Sequence, residues 1–180
     1  RRQRQMCIRD RLRGMPFVDL AFLRRCDLQG NVITYHRRKT SRKLTVVVGK
    51  EAMEIIQKYM YAIPDSPYLF PIIQNPGKDE YGQYARMLRL QNYRLTQVAN
   101  ILGIRDRLST YTARHTWATT ALRQNYNSSL ICDAMGHSSV KVTETYFQPY
   151  RDDEVNRMNS SLITYILSKK KRGTDKKIRS

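Results

Sequence analysis

The sequence predicts an α+β fold, mainly α, with one small antiparallel β-sheet. Three observations carry this expectation. Apolar residues recur at i, i+3 and i+4 in several separated stretches, the spacing of one buried helix face. Two short runs rich in β-branched residues, Val32 to Arg37 and Leu44 to Val48, flank a basic turn. There is no internal repeat, and 180 residues with 41% hydrophobic content suit one domain, or one domain with an appendage.

Residues 1–13 hold six arginines and one aspartate and form a basic lead-in. The chain opens on Arg1-Arg2-Gln3-Arg4 without a methionine, as expected of a piece of a longer protein. A short helix follows. Pro16 suits its first turn, where a missing N–H costs nothing, and Phe17, Leu20 and Ala21 fall on one face. The β-branched runs then read as a hairpin with the charged tip Arg38-Lys39-Thr40-Ser41-Arg42. Ala52, Ile55, Ile56, Tyr59, Met60 and Ile63 mark an amphipathic helix. Residues 64–82 carry four of the six prolines plus Gly77 and Gly82, and read as a loop. Leu95, Val98, Ala99 and Leu102 mark a helix ended by Gly103. A helix over 112–124 turns Ala113, Trp117, Ala118 and Ala121 inward. Leu130, Ile131, Ala134 and Met135 form a short helix that stops at Gly136. Val155, Met158, Leu162, Tyr165 and Ile166 mark the last helix. Beyond it, residues 169–180 hold seven basic residues and one acid, too little apolar surface to fold alone. The expected organisation is a body over 1–168 and a basic tail over 169–180.

The charge balance narrows the partner. Against 33 Lys+Arg stand 15 Asp+Glu, a net +18. Such an excess suits a polyanion, because each phosphate neutralised releases a condensed counterion. Nucleic acid is the first reading; an anionic membrane surface or a ribosomal role is the alternative. The basic tail is either a solvated end or a DNA-contacting arm. Cys7, Cys26 and Cys132 form no CxxC pair, so a reducing cytoplasm is the simplest compartment. No apolar run is long enough to span a bilayer, and there is no signal-peptide core. Three scattered histidines without an acidic cluster argue against a metal site, and no phosphate-cradling glycine loop suggests nucleotide hydrolysis. No cofactor is expected.

One constellation carries chemistry. Arg114 lies in Ala113-Arg114-His115-Thr116, His137 in Met135-Gly136-His137, and Tyr146 follows nine positions after that histidine. Cutting a phosphodiester with a protein hydroxyl needs an in-line nucleophile, cations on the non-bridging oxygens and a proton for the leaving oxygen. Tyr146 is the candidate nucleophile, singled out among twelve tyrosines by its spacing; Tyr150 is a decoy. A phenol titrates near about 10, so neighbouring cations must favour its ionised form. Arg114 can grip two phosphate oxygens in a fork that lysine cannot mimic. On its apolar stripe it is either a buried ion pair or a site residue. His137 can donate to a phosphate oxygen, although a histidine after glycine is also a simple helix stop. Lys39 at the hairpin tip can reach a DNA groove and protonate the leaving oxygen. Arg37, Arg38, Arg42 and Lys43 are DNA-backbone contacts. Tyr111, three positions before Arg114, is its helical neighbour. His115 falls on another helical face and reads as structural, and His36 has no assigned role.

With these residues in hand, the chain resembles the catalytic domain of the tyrosine recombinases, or phage-type integrases, from about Gly14 to about Tyr150. Gly14-Met15-Pro16-Phe17-Val18-Asp19-Leu20 resembles the family's first box, with its acidic residue at Asp19. Arg38-Lys39-Thr40 resembles the hairpin that carries its catalytic lysine. Ala113 to Thr119, with Met135 to Ser139 and onward to Tyr146, resembles the second box. The wording is closest to integrases of mobile elements in Bacteroides-like bacteria. The resemblance implies that Arg114 and His137 hold the scissile phosphate and Lys39 is the general acid. Tyr146 would form a 3′-phosphotyrosyl link that conserves bond energy for rejoining. It further implies double-stranded DNA as partner, a monomer that becomes a tetramer on DNA, a last helix docked on a neighbouring protomer, and an N-terminal DNA-clamping domain outside this chain. Two positions depart from the pattern. The first-box arginine is replaced at Pro16, and the His or Lys three residues before the second arginine is Tyr111. Arg13, or another lead-in arginine, is the expected substitute for the lost charge. The competing readings are a non-catalytic DNA-binding relative of the same fold, and a basic RNA-binding module.

Overall fold

A computed structural model describes residues 8–9, 11–146 and 152–177. It falls into two compact units, one up to Phe147 and one from Gln148 onward. In the first unit, α1 (Phe17–Ala21) leads through a single 3-10 turn (Arg25–Asp27) into strands β1 (Leu28–Gln29), β2 (Val32–His36) and β3 (Lys43–Val47). Helices α2 (Lys50–Ala62), α3 (Glu80–Ile101), α4 (Thr112–Arg123), α5 (Ser128–Met135) and α6 (Val140–Glu144) follow. The second unit holds α7 (Asp152–Lys177), whose backbone stays helical well beyond the last apolar repeat at Ile166.

The sheet is antiparallel in the order β1-β2-β3. Ile33 pairs with Val46 and Tyr35 with Leu44, and all four are buried. The two-residue period then carries the inner face one step past the end of β2, to Arg37, which is 5% exposed. The sheet packs on Leu20, Leu23, Val48, Ala52, Ile56 and Phe70 to make the larger core. A smaller core of Ala118, Ile131, Met135 and Tyr146 joins α4, α5 and the segment after α6.

The proline-rich loop is ordered, and its middle is core rather than surface. Tyr68, Leu69, Phe70, Ile72 and Ile73 are all buried. Leu69 N–H donates to Leu23 O at 2.9 Å, and Arg25 N–H to Pro67 O at 2.8 Å. The loop's other end is tied by one side chain. Gln83 accepts from the amides of Gln74 and Asn75, both at 2.9 Å, and donates to Asn75 O and Lys78 O at 2.8 and 2.6 Å. One buried amide thus satisfies four backbone groups and fixes the course of the chain just beyond the buried segment.

Apolar spacing overstates burial elsewhere. Val98 on α3, Leu102 at its C-cap and Leu130 on α5 carry the expected phase yet are 44, 65 and 56% exposed, while Leu95, Ala99 and Ile131 are buried.

Candidate functional site

Three segments converge on one point. The first is the start of α4, with Tyr111 at its N-cap, then Arg114 and His115. The second is the turn after α5, where Gly136 closes the helix at φ +63° and His137 follows. The third is the last turn of α6 and Tyr146 beyond it. Two glycines let them close up. A Cβ on Gly14 (φ +64°) would lie 2.8 Å from the Arg114 Cα, and one on Gly136 would lie 2.8 Å from Leu44 Cδ1 and 3.2 Å from Arg37 Cδ. At both places only glycine supplies the positive φ and the room.

Arg114 is 1% exposed. Its guanidinium donates to Gly14 O at 3.1 Å and Met135 O at 2.6 Å, and lies 2.8 Å from His137 Nε2. A guanidinium only donates, so Nε2 must accept, and the imidazole proton sits on Nδ1, which donates to Thr143 Oγ1 at 2.7 Å. Burial, then the charges of Arg114, Arg37 and Lys39, push the His137 pKa down to about 4. The resting histidine is neutral at pH 7. Folding holds it neutral while the unfolded chain protonates near pH 6.5. Its contribution is therefore complete above that pH and lost as pH falls toward 4. Replacing it with a non-titrating residue, as in His137→Gln, should flatten the pH profile of the unfolding free energy in that window by roughly 3 kcal/mol, read from denaturant titrations at each pH. A wild-type profile no steeper than the variant's would contradict this.

Tyr146 is 6% exposed. Its ring stacks on His137 at 5.5 Å and 13°, and His115 lies 4.5 Å away. Its hydroxyl is 2.7 Å from that of Tyr111. Burial and then the Tyr111 bond push its pKa up to about 12, while the Arg114 guanidinium pulls the other way. The tyrosine and the arginine thus share one pocket. His115 belongs to it as well, despite the structural reading of its helical face. It stands one turn after Tyr111, 5.1 Å ring to ring, while Tyr146 also packs in the small core with Ala118 of the α4 apolar stripe.

The hairpin closes the other side. Thr40 Oγ1 donates to Gly136 O at 3.1 Å, and Arg37 donates to the same carbonyl. Arg42 donates to His137 O at 2.9 Å and pairs with Asp133 at 2.7 Å. The basic set expected at the tip therefore splits. Lys39, Arg38 and Lys43 are exposed, with Arg38 lying 3.9 Å over the Phe22 ring. Arg42 is tied to the helix end, and Arg37 is inside. Beneath them Asp19, 3% exposed, accepts from Arg38 N–H at 3.0 Å. Burial raises its pKa, although the Arg38 amide, Arg37 and Arg114 act against that. Arg13 is half-buried at φ +56°, with its charge felt at Tyr35. Tyr150 lies outside the described residues.

Sequence reasoning missed the interior placement of Arg37, whose signal is the strand phase 33, 35, 37, and the role of Thr143, which has no signal beyond lying between His137 and Tyr146.

This architecture is that of known recombinases. The XerA recombinase superposes with a TM-score of 0.64 at 20% identity, covering 89% of this chain and 57% of that one. The Tn1549 transposon integrase, in complex with circular intermediate DNA, gives 0.63 at 17% identity, covering 89% and 60%. A tyrosine recombinase of Pseudothermotoga lettingae is 32% identical over 60 residues, which are 33% of this chain and 21% of the relative. Residues 12–152 match the Phage integrase family, and the chain belongs to that family. It spans less than two thirds of each of these relatives.

Proposed function

We propose that the chain is the catalytic part of a site-specific DNA recombinase that cuts and rejoins double-stranded DNA through a 3′-phosphotyrosyl intermediate. One observation carries the reading. The Tyr146 hydroxyl, the Arg114 guanidinium and the His137 imidazole, drawn from three separate segments, occupy one buried pocket bordered by a basic hairpin.

In this reading Arg114 grips the scissile phosphate. Its Nε is buried without a partner among the described residues, as is the Nε of Arg37, so each keeps a donor in reserve. Arg37 serves as the second clamp. Its pKa is lowered by burial and then by Arg114, with Asp19 the strongest charge opposing that. Two like charges held this close are relieved by an anion between them. Arg13, the sequence-based substitute, becomes accessory. The phosphate also offsets the cations that keep His137 neutral, and so lets Nε2 take up a proton and donate. Lys39 protonates the leaving 5′-oxygen, and Arg38, Arg42 and Lys43 contact the DNA backbone. Neither metal nor ATP is needed, because the phosphotyrosyl ester conserves the energy of the broken bond.

The test is a nicked duplex from the DNA flanking the chain's own gene, incubated with the protein in EDTA without ATP. Supporting this reading requires a denaturation-resistant adduct. A gel shift with no adduct would indicate a binding module instead. The motif wording places the element in a Bacteroides-like bacterium, and the setting is then the cytoplasm, at the nucleoid. No helix among the described residues is long and apolar enough to cross a membrane. Assembly from monomer to tetramer on DNA would use α7, where Val155, Met158, Leu162 and Ile166 are each 46 to 60% exposed on one apolar stripe. Deleting residues 152–180 should then abolish the tetramer on DNA by light scattering. An unchanged tetramer would show that α7 does not link protomers. The domain body over 1–168 and the tail over 169–180 remain the proposed division.

A further inference from the structure

Tyr146 must lose its proton as it attacks, yet it is 6% exposed. Arg114 and His115 on α4, and His137 after α5, face it. Arg114 cannot accept a proton. His137 in the free protein has its Nε2 lone pair filled by Arg114 and its Nδ1 protonated toward Thr143, and with phosphate bound both nitrogens carry protons and donate, so it has no site left to accept one. From the hairpin, the charges of Arg37 and Lys39 reach His137 and add only more cation. His115 meets Tyr146 ring against ring. The Tyr146 hydroxyl also lies 2.7 Å from that of Tyr111, a group that can accept one proton while giving up another, and Tyr111 is 45% exposed. It joins the buried oxygen to bulk water.

We infer that Tyr111 is a catalytic residue whose hydroxyl relays the Tyr146 proton to solvent. This rests on the recombinase reading above. As the Tyr146 Oη–P bond forms and the P–O5′ bond breaks, the Tyr146 proton moves to Tyr111 Oη. The Tyr111 proton passes in the same step to a solvent water, so Tyr111 carries no net charge. O5′ takes its proton from Lys39, which recovers one from solvent. Rejoining runs the same path backward and returns a proton to the departing Tyr146 oxygen. The position where the family places a His or Lys is thereby filled by a neutral hydroxyl relay.

The experiment compares wild type, Tyr111→Phe, Tyr111→His and Tyr146→Phe in single-turnover adduct formation on the nicked duplex, from pH 6 to 9, with DNA affinity measured by gel shift. Tyr111→Phe keeps the ring and should bind DNA as wild type does, but form adduct about 100-fold more slowly at pH 7, the scale of a lost proton-transfer group. Its rate should climb more steeply with pH as hydroxide takes over, and Tyr111→His should recover at least part of the rate. Tyr111→Phe within twofold of wild type across the range, or slowed only by weaker binding, overturns the relay while the Tyr146 assignment stands. Adduct persisting on Tyr146→Phe at the wild-type rate overturns the Tyr146 assignment and the relay with it, and no adduct from the wild type overturns the recombinase reading itself.

Discussion

Tyr146→Phe is expected to abolish the covalent adduct, by at least about 10⁴-fold in rate, while leaving DNA binding and the fold in place. The nucleophile has no substitute once its oxygen is gone, because covalent catalysis depends on that atom rather than on general stabilisation of the site. Structurally the change is mild. The ring keeps its stack on His137 and its place in the small core with Ala118, Ile131 and Met135. What disappears is one hydroxyl pair with Tyr111, worth about 1 kcal/mol, and the half-exposed Tyr111 can turn to water instead. The melting temperature should therefore move by only a few degrees. The site of attachment can be read directly. Trypsin cutting after Lys141 and Arg151 leaves Tyr146 and Tyr150 in one peptide, and cutting after Arg107 and Arg114 leaves Tyr111 in another. Fragmentation of the adducted peptide should put the nucleotide on Tyr146. Attachment at Tyr111 or Tyr150 would show that spacing from His137 does not choose the nucleophile.

The sequence made the grouping of Arg114, His137 and Tyr146 legible because they lie in short motifs whose order survives any packing detail. The hairpin was legible for a different reason. Alternation of β-branched residues is a local signal, and the turn between Arg37 and Lys43 is too polar to be anything else. Where contacts are long-range, the reading failed in physically specific ways. Tyr68 to Ile73 sits among prolines, which locally means loop, and its burial rests on partners distant in sequence, Leu23 O accepting from Leu69 N–H and Gln83 fixing the chain just beyond it. The first half of α3 was missed for the same reason. Tyr84, Met87 and Leu88 keep the helical phase that Leu95 continues, but Gly82 and the nearby prolines masked it. The contact of His115 with Tyr146 was not legible, because a helix-face argument does not register a ring brought from a distant segment.

Arg37 is where the two levels meet. As a member of a basic tip it reads as one backbone contact among four. As the third residue of the inward phase 33, 35, 37 it is a buried cation next to the site. Arg37→Ala is expected to slow adduct formation by about 10² to 10³-fold, the range for losing one preorganised donor to developing negative charge. Arg13→Ala, on a half-buried residue whose charge is felt at Tyr35, should cost less than about fivefold, a difference of under 1 kcal/mol. Arg37→Lys should recover only part of the rate, because an ammonium restores charge but not the two-pronged geometry. Stability gives an independent measure. The free protein holds Arg37 and Arg114 close together with Asp19 as the buried acid beside them, and an anion that enters this space binds the folded state alone. Inorganic phosphate should therefore raise the melting temperature of the wild type more than that of Arg37→Ala, at matched ionic strength. Equal gains in the two proteins, with equal cleavage rates, would remove Arg37 from the clamp. A rate loss in Arg13→Ala matching that predicted for Arg37→Ala would hand the lost first-box charge to the lead-in arginine instead.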